Sequence, residues 1–312
     1  MSEHQRSNQP FYNTKDIITI LMMSLFYLVL SYFLIGYHSN QVVLVLIFNT
    51  LYFGSVITRK FILGFSIFIV YWILFDYMKA FPNYAYTNVH IAELYHFEKH
   101  IFGISTHGLV LTPNEFLRAH SSTVMDFIGG IFYLMWIPVP LAFAAYLFFT
   151  KKELFLQFSL TFVLVNLIGF VIYYLYPAAP PWYVQYHGFT FIAHTHSNPA
   201  GLIRFDHLLN VPVFQSIYKQ GSNVFAAMPS LHSSYPVIVV YYGLKNKMGA
   251  MNFIFGLVMV GIWFTAVYAS HHYVLDVVAG ISCALTGIKL FNWLLQNTVV
   301  GTFVEKMRVV IA

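Results

Sequence analysis

The sequence predicts an all-α polytopic membrane helix bundle, and three observations carry that prediction. Of 312 residues, 59% are hydrophobic and only 9% are charged, where an average soluble domain carries about a quarter. The mean hydropathy is +0.68. The apolar residues gather into runs close to the ~20 residues that a helix needs to cross a bilayer. So few charges cannot cover the surface of a chain this long, which excludes a soluble enzyme and a disordered protein. The net charge of +5 reads as membrane orientation rather than affinity for nucleic acid, because Lys and Arg collect on the cytoplasmic side of membrane proteins. Cys283 is the single cysteine, so a disulfide framework and a cysteine-rich metal site are excluded.

Residues 1–16 form a polar N-terminal tail. No small-residue cleavage site follows the first apolar run, which therefore reads as a retained span and not a signal peptide. About eight transmembrane helices are expected, at roughly 17–36, 41–57, 61–78, 123–149, 154–176, 231–244, 250–269 and 272–297, the second marginal and the sixth short. They would build one transmembrane catalytic domain over residues 17–312. The intervening segments 79–122 and 177–230 hold no run long enough to cross. Their mixture of Pro, His, Tyr and charge suits interfacial helices and a structured lid.

Orientation follows from the basic residues beside the spans. With the N-terminus inside, Arg6, Lys15, Arg59, Lys60, Lys151, Lys152, Lys245, Lys247, Lys289, Lys306 and Arg308 fall on the inner side. Only Lys79, Lys99, Arg118, Arg204 and Lys219 fall outside. Both termini are then cytoplasmic and the two long segments lie outside. Of the 14 histidines only His4 is on the inner side, which draws attention to an outward-facing site.

Two segments carry chemistry there. Ala227-Met228-Pro229-Ser230-Leu231-His232 opens the sixth span. A helix start of this kind exposes N–H groups at Ser230 and Leu231 and the positive end of the helix dipole, a suitable seat for phosphate. His232 projects from the same turn. The second segment is Ser270-His271-His272-Tyr273-Val274-Leu275-Asp276. His272 and Asp276 stand four residues apart, on one helix face. An Asp that accepts the Nδ1 proton leaves Nε2 bare as base, nucleophile or ligand. A purely structural His–Asp pair fastening two helix ends is the competing reading.

Pro-Ser-Leu-His followed about 40 residues later by His-x-x-x-Asp resembles the type-2 phosphatidic acid phosphatase superfamily of membrane lipid phosphatases and phosphotransferases. The run Tyr176-Pro177-Ala178-Ala179-Pro180-Pro181-Trp182-Tyr183, with His271-His272-Tyr273, looks like its inositol phosphorylceramide synthase branch and the bacterial relatives of that branch. Phe75-Asp76-Tyr77-Met78-Lys79, Glu98 and Phe102-Gly103 also resemble the bacterial group, and the resemblance covers roughly residues 70–285. It implies a six-helix phosphatase-like core and a metal-free, cofactor-free, two-step reaction. His272 is then the nucleophile, Asp276 its orienting partner and His232 the acid and base. The sequence departs from the phosphatase branch at three basic positions, where Gly169, Tyr176 and Ala266 stand instead. Donors to the phosphate would then be the helix start at Ser230 and Leu231 together with Lys219 and Arg204.

The implied partners are a phospholipid donor and a lipid alcohol acceptor within the bilayer, with no obligate protein partner. A lipid phosphate phosphatase is the alternative. A transporter lined by Asp76, Asp126 and Asp276 is less favoured, since no repeat is visible. Asp126, early in the fourth span, reads as a head-group contact or a polar helix contact, and Tyr176 as a substrate-binding residue. Asp76 and Lys79 read as a structural pair. His194 and His196 resemble a metal pair only loosely, and His271 reads as positional. The expected location is a bacterial inner membrane with the site facing the periplasm or outside. A reporter fused after residue 312 is expected to be cytoplasmic and one inserted near Asn198 external; both on one side would refute the eight-span arrangement.

Overall fold

The computed structural model describes residues 13–219, 221 and 223–312. The polar tail with His4 and Arg6 lies outside them. The chain divides into two compact units at Ser66 and Ile67, within one helix.

The first unit begins with α1 (Thr14–Ile35), where the Asn13 side chain accepts the Lys15 N–H and Gly36, at φ +79°, ends the helix. A capping box of His38 and Gln41 starts α2 (Ser39–Gly54). These two helices are linked by a hydrogen bond from Asn49 Nδ2 to Ser24 Oγ at 2.9 Å. Ser55 and Thr58 satisfy each other's N–H groups at the start of α3 (Val56–Tyr77).

The second unit holds the remainder of the chain. Residues 79–122 form α4 (Ala92–Phe102), a small antiparallel hairpin of β1 (Ile104–Thr106) and β2 (Leu109–Leu111), and α5 (Pro113–Ala119). That hairpin is the one antiparallel pair among the described residues. The expected fourth span is two helices, α6 (Thr123–Leu134) and α7 (Pro138–Thr150), because Pro138 and Pro140 supply no N–H to continue the ladder across Met135–Ile137. Then come α8 (Lys152–Leu175) and the short helices α9 (Pro181–His187), α10 (Ile203–Leu209) and α11 (Val213–Tyr218). The last four are α12 (Leu231–Lys245), α13 (Ala250–Tyr268), α14 (Val274–Asn297) and α15 (Val300–Ile311). Both long segments thus contain the short helices expected of them.

All eight expected span positions are helical, but only six are long and apolar enough to cross a membrane by themselves among the described residues. Helix α2, with 16 residues, and α12, with 15, fall short. For α12 the reason is enclosure. It packs against α8, α13 and α14, and Ser233, Ser234, Tyr235, Ile238, Val239 and Tyr242 are buried. A helix wrapped in protein need not offer lipid an apolar surface.

Several buried hydroxyls and amides of this bundle are paired with one another, as the low dielectric favours. Tyr235 Oη donates to Asn166 Oδ1 at 2.7 Å and meets Tyr71 Oη at 2.9 Å, and Thr161 Oγ1 lies 2.8 Å from Tyr242 Oη. Aromatic edges fill the space between, with Phe68 and Tyr71 set against Phe162 at 5.6 and 5.5 Å.

Two glycines set how closely the central helices approach. A Cβ at Gly280 of α14 would lie 2.2 Å from the Ser230 carbonyl oxygen, and one at Gly169 of α8 would lie 2.6 Å from Leu231 Cδ2. The first obstacle is backbone, which cannot rotate away. Gly280→Ala is therefore expected to destabilise the protein by about 1–3 kcal/mol through overpacking, read as a lower thermal midpoint in detergent with loss of activity; an unchanged midpoint would contradict the close approach.

Candidate active site

Five residues, 269–273, join α13 to α14, and they include His271 and His272. Ser270 there takes φ +58°, a conformation that L side chains adopt only when the surroundings enforce it. The enforcement is visible. The Ala266 carbonyl accepts the N–H groups of both His271 and His272 at 3.0 Å. Asn114 Nδ2, on α5, donates to the carbonyls of Val267 and His272 at 2.7 and 2.8 Å. From the other long segment, the Trp182 N–H donates to the Ser270 carbonyl and the Gly201 N–H to the Ala269 carbonyl, each at 3.0 Å.

The N-terminus of α14 is held as firmly. Its first N–H groups have no partner within the helix and must find one elsewhere. Asp276 Oδ2 accepts from the Tyr273 N–H at 2.8 Å. Glu98, fully buried on α4, accepts from Val274 at 2.9 Å and from Leu275 at 3.1 Å, one oxygen to each. Burial pushes the Glu98 carboxyl up to about 7, the two N–H donors pull it back, and the nearby Asp276 charge adds to the rise.

The start of α12 is tied to the same place. The Ser230 N–H donates to the Asp276 carbonyl at 2.9 Å, and the Ser230 hydroxyl accepts the Ser233 N–H at 3.3 Å. Upstream, residues 226 and 178 form a parallel bridge and residues 178 and 90 another, so both long segments run into one small lattice beside the site.

The catalytic candidates meet there. His232 Nδ1 lies 3.3 Å from His272 Nε2. His272 Nδ1 lies 3.0 Å from the Ala227 carbonyl oxygen and 3.5 Å from Asp276 Oδ2. A carbonyl can only accept, which assigns the proton to Nδ1 and leaves the Nε2 lone pair facing His232. The bare nitrogen, Nε2, is the expected one, but the nearest partner of the protonated Nδ1 is the Ala227 carbonyl rather than Asp276. Asp276 Oδ2 is engaged with Tyr273 N–H, and Oδ1 is buried with no hydrogen-bond partner. The His232 ring meets Trp136 edge to face at 4.3 Å. His271 is held apart, its Nε2 2.8 Å from the Pro199 carbonyl and its ring stacked on Tyr218 at 4.6 Å. Burial, with His272 beside it, lowers His271 to about 3 against the pull of Pro199, so it is neutral at neutral pH.

The residues read as phosphate donors are arranged differently from the expectation. The helix start is largely spent, since the Ser230 N–H is bonded to Asp276 and the Leu231 N–H faces the Tyr173 hydroxyl. Arg204 and Asp126 are paired with each other, Nε to Oδ1 at 2.6 Å, with the Tyr268 hydroxyl donating to the same oxygen at 2.7 Å. One guanidinium nitrogen, Arg204 Nη2, remains buried without a partner. Lys219 is exposed at the end of α11. Tyr176 stacks on His90 at 4.0 Å. Asp76 and Lys79 pair at 2.6 Å, as read. Among the described residues no group of three or more His, Cys, Asp or Glu is placed to hold a metal; His194 meets the Tyr84 hydroxyl at 3.1 Å.

The three positions that lack a basic residue are also filled. Leu231 occupies the space beside Gly169. Ala266 is fully buried in a cluster with Tyr133, Leu202 and Phe205, and Tyr176 is taken up by His90. Sequence reasoning missed the parts of Ala227, Asn114 and Glu98. Glu98 was noticed only as a point of resemblance, and a backbone carbonyl leaves no mark in a sequence.

A helical membrane bundle with two facing histidines at the joined ends of α12 and α14 defines the class, an integral membrane protein with a buried histidine centre. The chain belongs to the PAP2 superfamily, whose family model matches residues 92–290. It is 41% identical over 281 residues to a phosphoinositol dihydroceramide synthase of Bacteroides thetaiotaomicron, covering 89% of this chain and 92% of that protein. It is 32% identical over 167 residues to the inositol phosphorylceramide synthase of Candida albicans, covering 51% of this chain and 35% of that protein. A catalytic subunit of the Saccharomyces cerevisiae inositol phosphorylceramide synthase is 31% identical over 117 residues, 37% of this chain and 29% of that one. No solved structure matches the chain.

Asn114→Ala removes the side-chain donor from the His272 carbonyl and one of two donors from the Val267 carbonyl, which keeps the Ser270 N–H, at a cost of about 1–3 kcal/mol for the carbonyl left unpaired. The expected outcome is a lower thermal midpoint and reduced activity, checked by melting in detergent and by lipid turnover.

Proposed function

We propose that the protein is an integral-membrane phosphotransferase that moves an inositol phosphate head group from a phosphatidylinositol-like donor to a lipid alcohol such as a ceramide or dihydroceramide. The observation that carries this reading is the His232–His272 pair beside three filled positions where the phosphatase pattern has cations. Each charge-assisted hydrogen bond to phosphate contributes about 1.5–3 kcal/mol, so a site without three of them disfavours a monoester dianion. A phosphodiester monoanion asks for less.

His272 Nε2 attacks phosphorus, and the bond from phosphorus to the diacylglycerol oxygen breaks. His232 Nδ1 gives its proton to that oxygen, and diacylglycerol leaves. The head group remains joined to His272 through a P–N bond. The acceptor hydroxyl then loses its proton to His232, its oxygen attacks phosphorus, and the P–N bond breaks, the reverse of the first step. Asp276 stabilises the charge that gathers on His272, and the Ala227 carbonyl keeps its Nδ1 proton in place. The pair stands only 3.3 Å apart, too close for an intervening phosphorus, so the rings part when the donor enters. The segments 79–122 and 177–230 cover the site and keep water from the intermediate. We place the site on the outer face and both termini in the cytoplasm on the charge distribution.

Ala in place of His232, His272 or Asp276 is expected to lower turnover by several orders of magnitude with folding retained, and the losses are not additive because the groups act as a unit. Purified protein given labelled phosphatidylinositol should form a labelled inositol phospholipid only when ceramide or dihydroceramide is added, and a chelator should not matter. Rapid phosphate release from a lipid monoester without acceptor-dependent product would point to a phosphatase instead. Near-normal turnover by His272→Ala would refute the nucleophile.

A further inference from the structure

Glu98 lies outside the sequence motifs that carry the reaction, yet it is one of the most completely enclosed carboxylates in the molecule. A buried ionisable group without a partner is costly, and this one has two partners of an unusual kind. Both of its oxygens are used on consecutive N–H groups, Val274 at 2.9 Å and Leu275 at 3.1 Å. The donors belong to the first turn of α14, while Glu98 belongs to α4, 176 residues away from Val274. Helix N-termini are usually capped from their own chain neighbours. Here the neighbour's cap, Asp276 Oδ2 on Tyr273 N–H, covers only the adjoining amide. The distant carboxylate accepts the next two.

His272 sits two residues before Val274, and Asp276 one residue after Leu275. Any rotation or slide of this first turn changes the distance from His272 Nε2 to His232 and from Asp276 to His272. The Asp276 carbonyl also receives the Ser230 N–H, so the same movement shifts the start of α12. The remaining holds on the connection act on residues before Tyr273, through Ala266, Asn114, Trp182 and Gly201, and none of them reaches the N–H groups of Val274 and Leu275.

We infer that Glu98 is a positioning residue for the transfer reaction, a carboxylate clamp from α4 that fixes the first turn of α14 and so sets the alignment of His272 and Asp276 with His232. The inference rests on the reading of His272 as nucleophile. It also bears on pH. Glu98 faces Asp276 of α14 and Tyr273 just before it, His272 stands in the same connection, Tyr95 of its own helix and Glu115 of α5 also act on Tyr273, and Lys99 donates to the Tyr95 hydroxyl. When ionised, the carboxylate accepts both N–H groups. When protonated, one oxygen carries a hydrogen and can no longer accept in the same way. With its carboxyl pushed up to about 7, the clamp tightens as pH rises through that value and loosens below it.

The test uses the full-length protein in lipid nanodiscs with Glu98→Gln, Glu98→Asp and Glu98→Ala. A misplaced reacting group costs about 10- to 100-fold in rate, so Glu98→Gln is expected to lower kcat by about that factor with KM for the phosphatidylinositol donor little changed. The acidic limb of kcat near pH 7 should flatten in Glu98→Gln, and Glu98→Asp should recover part of the rate. Amide exchange at Val274 and Leu275, which needs no turnover, should speed up in Glu98→Gln. Faster exchange with unchanged kcat and pH profile would overturn the inference, leaving Glu98 a structural cap. A fall in folded yield with normal kcat per folded molecule would do the same. If no variant folds, the wild-type profile decides, and an absent limb near pH 7 counts against the clamp. Failure of the underlying reading is separable, because it would show as turnover surviving in His272→Ala.

Discussion

A single backbone hydrogen bond, from the Ser230 N–H to the Asp276 carbonyl at 2.9 Å, joins the two helix ends on which the centre is built. Ser230 opens α12 and Asp276 stands in the first turn of α14, so this bond fixes His232 and His272 at facing distance. It exists only because Gly280 presents no Cβ to the Ser230 carbonyl. Ser234 adds a hydroxyl bond to the Gly280 carbonyl at 2.7 Å, which fastens the helices one turn further in. Local propensity has little to say about such a contact; it is set by how near two backbones can come.

Around this joint the two long segments act as a frame. Their backbones meet as parallel bridges at residues 90, 178 and 226. Asn83 Nδ2 reaches the carbonyls of Tyr173 and Phe225 at 2.8 and 2.9 Å. Asn114, Trp182 and Gly201 then grip the α13–α14 connection from both segments. The strained Ser270 is the visible result of holding five residues in so short a bridge. The polar, aromatic composition that marks these segments as unable to cross a membrane also equips them to satisfy exposed carbonyls at the bundle end.

Much of this was legible in the sequence. The apolar runs located all eight expected helices, though α2 and α12 are too short to cross a membrane by themselves and the fourth is interrupted, for a reason its two prolines state. The catalytic candidates were legible because their spacing is local, Pro-Ser-Leu-His in one turn and His272 with Asp276 in another. What was hidden involves partners far apart in the chain. The Arg204–Asp126 pair couples residues 78 apart, so each alone looked available to a head group. Ala227 fixes the His272 tautomer through a carbonyl that every residue possesses. The anion seat at the start of α12 was inferred from free N–H groups, and tertiary contacts had already claimed them.

The packing of Leu231 against Gly169 ties two positions that belong to different motifs. A cation cannot be introduced at 169 while Leu231 keeps its side chain, and trimming Leu231 alone leaves a void at the buried start of α12. The two positions share one space, so changes at both are expected to be coupled rather than additive. A change in the chemistry offered at position 169 is therefore bound to a change in the side chain at position 231.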